Sequence, residues 1–177
     1  MLVVLLGGAR SGKSSYAESL GRRHDGPVTY LATAPRIEGD GDLEARVARH
    51  RADRPSEWGT IEDELDLAGA LGGTGGAFVI VDCLTTWVGN LLHHGRSDDD
   101  ALAATDAAIA VARGRDATTV VVSNEVGMGI VPANELARRY RDLLGRVNHR
   151  WVAAADRSML LVAGKACALS DPDDLLR

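Results

Sequence analysis

The segment Gly7-Gly8-Ala9-Arg10-Ser11-Gly12-Lys13-Ser14 carries the spacing G-x-x-x-x-G-K-[ST], the pattern of a phosphate-binding loop. Such a loop curls its backbone N–H groups around a β-phosphate. Lys13 would reach the β- and γ-oxygens, and the Ser14 hydroxyl would ligate Mg²⁺. The surroundings agree with the motif. The apolar run Leu2–Leu6 reads as a strand leading in, and residues 13–23 read as a helix leading out, whose N-terminus adds positive potential. Of the 20 basic residues only Lys13 and Lys165 are lysines. A chain that otherwise uses arginine thus places one of its two lysines at the position where this chemistry needs one. The expected chemistry is binding and transfer of nucleotide phosphate.

Such a site needs an acidic residue at the end of another central strand, and Phe78-Val79-Ile80-Val81-Asp82 has that form. Asp82 is the expected second metal or nucleotide ligand; capping a helix that starts near Thr85 is a compatible structural role. The guanine-reading N-K-x-D motif is absent. The run Thr118–Ser123 ends in Ser123-Asn124-Glu125-Val126-Gly127 instead, which argues against a switch-type GTPase. Gly127-Met128-Gly129-Ile130-Val131-Pro132 has only a partial dinucleotide fingerprint and reads as a glycine turn entering a helix at Pro132.

A second reactive candidate lies on the most basic stretch. His50 is three residues from Val47 and seven from Leu43, on one face of a short helix expected over 42–53 and closed by Pro55. Spacing alone favours a packed histidine. Arg46, Arg49, Arg51 and Arg54 around it suit a polyphosphate, and their charge disfavours imidazolium, leaving a neutral ring nitrogen available as a nucleophile. His93 and His94 fall at a helix end, His24 in a polar turn and His149 on an exposed helix face, and no metal-ligand spacing links them. Asp98-Asp99-Asp100 after Ser97 reads as a helix N-terminus rather than a metal site.

These residues are positioned by alternating elements. Strands are expected at Leu2–Leu6, Val28–Ala32, Phe78–Val81, Thr118–Ser123 and Met159–Val162, as short, nearly continuous apolar runs. Helices are expected near 13–23, 42–53, 62–71, 84–94, 99–113 and 133–155, the last with a buried stripe of Leu136, Tyr140, Leu143, Val147, Trp151 and Ala154. Gly69–Gly76 reads as a loop, and the end after Lys165 as a surface tail. The pattern predicts an α/β fold with a mainly parallel sheet and helices on both faces.

With 177 residues, the chain is expected to form one catalytic domain over 1–177. A net charge of −5 argues against a general nucleic-acid or anionic-membrane binder. No apolar run approaches a membrane span, and the N-terminus does not read as a signal peptide. Cys83 and Cys167 lack ligand spacing and are expected to be small buried hydrophobes in a reducing cytosol. A cytoplasmic location follows.

Taken in order, the phosphate loop, Tyr30-Leu31-Ala32-Thr33, Ala45-Arg46-Val47-Ala48-Arg49-His50-Arg51-Ala52-Asp53-Arg54-Pro55-Ser56-Glu57-Trp58, Asp82-Cys83-Leu84-Thr85-Thr86-Trp87-Val88-Gly89-Asn90-Leu91-Leu92 and Ser123 through Pro132 resemble the bifunctional adenosylcobinamide kinase / adenosylcobinamide-phosphate guanylyltransferase family of cobalamin biosynthesis. The resemblance implies a P-loop NTPase-like fold and two reactions. A nucleoside triphosphate, ATP or GTP, phosphorylates adenosylcobinamide. GTP then guanylylates a histidine, here His50, and the GMP passes to adenosylcobinamide phosphate. By motif position it implies nucleotide contacts at Gly7 to Ser14, Thr33, Ala34, Pro35, Arg51, Ala52, Asp53, Arg54, Glu62 and Asp82, and a homotrimer. Two departures stand out. Family members often carry glutamate at Asp82, and two adjacent histidines where this chain has Arg49-His50. Two rivals are a small-molecule kinase with a structural His50 and a GTP-sensing regulatory module.

Overall fold

The computed structural model describes residues 1–35 and 55–176. The expected helix over 42–53 lies outside them. In chain order the strands are β1 (Leu2–Gly7), β2 (Val28–Ala32), β3 (Gly59–Glu62), β4 (Phe78–Asp82), β5 (Thr119–Val122), β6 (Arg157–Val162) and β7 (Lys165–Ala168). The helices are α1 (Lys13–Arg22), α2 (Leu67–Gly72), α3 (Leu84–His93), α4 (Asp98–Gly114) and α5 (Glu135–Ala154), followed by a 3₁₀ turn at Pro172–Leu175. The sheet order is β3-β2-β4-β5-β1-β6-β7, parallel throughout except for β7, which pairs antiparallel with β6.

Every residue of β1 is buried, and successive side chains serve opposite faces, as strand geometry requires. Leu2, Val4 and Leu6 join a core with Val79, Val81, Val121 and apolar residues of α2, α3, α4 and α5. Val3 and Leu5 join Tyr30, Ile80, Val120 and Ala17 of α1 on the other side. Both faces are covered, which explains why β1, β4 and β5 read as unbroken apolar runs.

Local chemistry sets the helix ends. Ser97 and Asp100 form a reciprocal capping box at the start of α4. Asn134 accepts from the Ala137 N–H at 2.7 Å and starts α5 at Glu135. The expected entry at Pro132 is therefore corrected by two to three residues, with Pro132 left in the preceding loop. Asp63 Oδ1 accepts from the N–H groups of Leu65 and Asp66, and Asp66 caps α2. The expected helix over 62–71 thus divides into an edge strand ending at Glu62, a turn, and α2, which takes in part of the Gly69–Gly76 stretch read as loop.

Three further expectations are corrected. Leu136 is 64% exposed rather than part of the buried stripe. Cys167 is exposed and Cys83 half-buried. The segment after Lys165 begins as β7. Among the described residues no helix is long and apolar enough to cross a membrane.

Candidate active site

The parallel register aligns Glu62 with Ala32, Ala32 with Asp82, Asp82 with Val122 and Val122 with Leu5. Their carboxyl-terminal ends form one edge, the side on which open α/β sheets bind ligands. The phosphate loop leaves β1 at this edge. Gly7 has φ +152°, and a Cβ there would collide with the Leu161 carbonyl oxygen and lie 2.7 Å from Ser11 Oγ. Gly12 caps α1 at φ 97°, a left-handed conformation that glycine adopts without strain. The turn between β6 and β7 closes on the loop, where Gly164 N donates to the Ser11 carbonyl at 2.9 Å.

Lys13 is only 6% exposed. Its ammonium donates to the carbonyls of Gly7 and Gly8, at 2.9 and 2.7 Å, and to Ser11 Oγ at 3.3 Å. Burial pushes its pKa below the ordinary lysine value, against the opposing pull of Cys83 and Asp82. The ammonium is thus held inside the loop, next to where a phosphate would sit. Ser14, half-buried, occupies the first turn of α1.

Asp82 ends β4, and the Tyr30 hydroxyl donates to its Oδ2 at 2.5 Å. That bond, made by a tyrosine 2% exposed, fixes the carboxylate. Capping is not its role, since α3 begins at Leu84 with Cys83 as its cap. Burial, with Asp82 beside it, pushes the Cys83 thiol up. Fully buried Thr33 ties β2 to β4: its N–H donates to the Asp82 carbonyl at 3.1 Å, and its hydroxyl donates to the Cys83 carbonyl at 2.7 Å and accepts from Cys83 N at 2.9 Å. Asn90 Nδ2 of α3 donates to the carbonyls of Thr33 and Glu64, at 2.7 and 3.1 Å. Ala34, Pro35 and Glu62 are half-buried beside them.

A second clasp holds the end of β5. Ser123 Oγ donates to Asn148 Oδ1 at 2.6 Å, and Asn148 Nδ2 donates to the Asn124 carbonyl at 2.9 Å. Asn124 N donates to Thr85 Oγ1 at 2.8 Å, and Glu125 N to the Gly7 carbonyl at 3.1 Å. Tyr140 donates to the Thr85 carbonyl at 3.1 Å, and burial, with a smaller push from Cys83, raises its pKa to about 12.

This edge belongs to a chain of which residues 3–169 match the family model CobU, described as cobinamide kinase / cobinamide phosphate guanyltransferase. The chain belongs to that family. It is similar to the bifunctional adenosylcobalamin biosynthesis protein CobP of Pseudomonas aeruginosa, at 41% identity over 91% of this chain and 92% of that protein. It is similar also to CobU of Salmonella typhimurium, at 41% identity over 93% and 97% of the two chains. The fold is similar to that of an ATPase from the type III secretion system of pathogenic bacteria, with a TM-score of 0.52 and 9% identity over 99% of this chain and 60% of that one.

Of the CobU-family site residues expected from the sequence, the described edge brings together Gly7 to Ser14, Thr33, Ala34, Pro35, Glu62 and Asp82. His50, Arg51, Ala52, Asp53 and Arg54 lie outside the described residues. The donors expected for Mg²⁺ are the Ser14 hydroxyl and the Asp82 carboxylate, which the Tyr30 hydroxyl orients. Hard oxygen donors fit this ion, which takes its remaining ligands from phosphates and water. Among the described residues no cluster of three His, Cys, Asp or Glu side chains could hold a metal by itself. Sequence reasoning gave no role to Tyr30, Asn90, Asn148 or Gly164. The only signal for the two asparagines is a polar residue inside an apolar stripe.

Proposed function

We propose that this chain is a single catalytic domain over residues 1–177. It phosphorylates adenosylcobinamide with ATP or GTP, then transfers GMP from GTP through guanylylated His50 to adenosylcobinamide phosphate. The observation that carries the proposal is the buried Lys13 in its glycine loop beside the Tyr30-oriented Asp82, on one sheet edge of a cobinamide kinase / guanyltransferase family member.

In the first reaction, the loop N–H groups of residues 8 to 14 and Lys13 cradle the triphosphate and stabilise charge spreading onto its oxygens. Mg²⁺, held by Ser14 and Asp82, would neutralise the β- and γ-oxygens. Thr33, Ala34, Pro35 and Glu62 line the rest of the nucleotide site. In the second, a neutral His50 nitrogen attacks the α-phosphorus, forming an N–P bond as the bond to pyrophosphate breaks. Arg51 and Arg54, with Ala52 and Asp53 in the same stretch, bind the phosphates. An oxygen of adenosylcobinamide phosphate then displaces His50, giving adenosylcobinamide-GDP. The covalent step splits one difficult transfer into two. The protein works as a cytoplasmic homotrimer and needs neither nucleic acid nor membrane insertion.

The test is incubation with Mg²⁺ and GTP labelled on the α-phosphate, in parallel with His50→Ala. Acid-labile, base-stable label on the wild type alone is the expected result. Wild-type protein that binds GTP but stays unlabelled would refute the guanylylated intermediate and favour a simple kinase.

A further inference from the structure

We infer that Glu125 receives the proton of the acceptor hydroxyl in phosphoryl transfer, an inference that rests on the kinase reaction proposed above. β5 lies between β1, which ends in the phosphate loop, and β4, which ends in Asp82. The chain leaving β5 therefore flanks the space in front of both. Glu125 is joined to the phosphate loop itself, its N–H donating to the carbonyl of Gly7, the loop's first residue, at 3.1 Å. That same carbonyl accepts from Lys13 Nζ at 2.9 Å, so one oxygen couples the position of Glu125 to that of the phosphate-binding ammonium.

The carboxylate is oriented. Gly127 N donates to Glu125 Oε1 at 2.5 Å, and among the described residues Oε2 has no protein partner. The turn beneath is fixed by buried Asn148 and Ser123 and by Thr85. Three other carboxylates at this edge have other ties: Asp82 holds the Tyr30 hydroxyl, Asp63 caps the turn before α2, and Glu64 lies 3.8 Å from His94. An alcohol acceptor needs a base to accept its proton as it attacks, the part that an aspartate plays in protein kinases. In the step, the hydroxyl oxygen forms a bond to the γ-phosphorus. The bond from that phosphorus to the β–γ bridging oxygen breaks, its electron pair leaving with the nucleoside diphosphate. The hydroxyl proton passes to Glu125 and then to solvent.

The test compares wild type, Glu125→Gln and Glu125→Asp in two assays on the same preparations. One is adenosylcobinamide phosphorylation from γ-labelled ATP, the other GMP incorporation from α-labelled GTP. Glutamine keeps an acceptor for Gly127 N–H, so a role in the turn survives while basicity is lost. For Glu125→Gln, kcat for phosphorylation should fall about 10²-fold. The KM for ATP should stay within about twofold, with GMP labelling and melting temperature unchanged. Glu125→Asp should retain more turnover than Glu125→Gln. Wild-type phosphorylation by Glu125→Gln overturns the inference, as does an equal loss of both reactions with a fallen melting temperature. A wild type that takes up GMP but does not phosphorylate the acceptor overturns it too, leaving the histidine chemistry intact. Glu125-dependent phosphorylation without GMP uptake supports it while refuting the guanylylated histidine.

Discussion

Replacing Asn148 with aspartate should make stability depend on pH in a way set by two hydrogen bonds. Asn148 is 4% exposed. Its Oδ1 accepts from Ser123 and its Nδ2 donates to the Asn124 carbonyl. Asn148→Asp keeps the shape and the first bond but turns the donor into an oxygen facing that carbonyl. Burial and this facing oxygen both disfavour the ionised form, so the introduced carboxyl has a folded pKa above its unfolded value of about 3.9. Protonated, it donates as the amide did. The variant should therefore be closest to wild type below about pH 4, and lose stability as pH rises toward its folded pKa. Between the two pKa values the unfolded state has released the proton and the folded state has not, so the gap widens by about 1.4 kcal/mol per pH unit. A shift of about two units gives a loss of roughly 3 kcal/mol at neutral pH. Asn148→Leu leaves the Asn124 carbonyl and Ser123 hydroxyl unpaired, at a pH-independent cost of about 2–4 kcal/mol. Urea unfolding of the three proteins from pH 4 to 8 measures both. A difference between Asn148→Asp and wild type that stays flat with pH and below about 0.5 kcal/mol would refute the clasp.

Tyr30→Phe removes the hydroxyl that orients Asp82. It should cost about 1–2 kcal/mol of stability and raise the Mg²⁺ concentration needed for half-maximal activity about tenfold; an unchanged Mg²⁺ titration would contradict the role given to Asp82. An aromatic disulfide reagent at pH 8 should titrate one thiol per native chain, exposed Cys167, and both in denaturant. Cys83, whose raised pKa keeps it protonated, should react only on unfolding, and two equally fast native thiols would refute that environment.

The phosphate loop was legible because all its parts are local: two glycines, a lysine and a serine at fixed spacing between a strand and a helix. The central strands were legible because burial on both faces writes them as unbroken apolar runs. β3 and β7 were not. The residues of β3, Gly59-Thr60-Ile61-Glu62, are at most half-buried, and all four of β7 are exposed, so no apolar pattern marks either edge. The stripe of α5 misled at its start. Asn148 already reaches the end of β5, so Glu135, thirteen residues earlier, lies about 20 Å up the helix axis. The first turns lie beyond that strand end, and Leu136 is left exposed.

Asn90 and Asn148 show why the rest of the site was hidden. Both are buried on helices covering the same face of the sheet, α3 and α5, among apolar neighbours such as Leu91 and Val147. Apolar side chains at both positions would bury cleanly. Instead each amide donates to a carbonyl just past a strand end: Thr33 after β2 and Asn124 after β5. Parallel strands hydrogen-bond along their length, but past the carboxyl edge the Thr33 and Asn124 carbonyls have, among the described residues, no backbone N–H partner, and an unpaired buried carbonyl costs about 1–3 kcal/mol. The two asparagines remove that cost and lock the irregular backbone on either side of Asp82. A helix stripe interrupted by asparagine over a parallel sheet therefore marks where the covering helix meets the strand ends, and so which end of the sheet carries the chemistry.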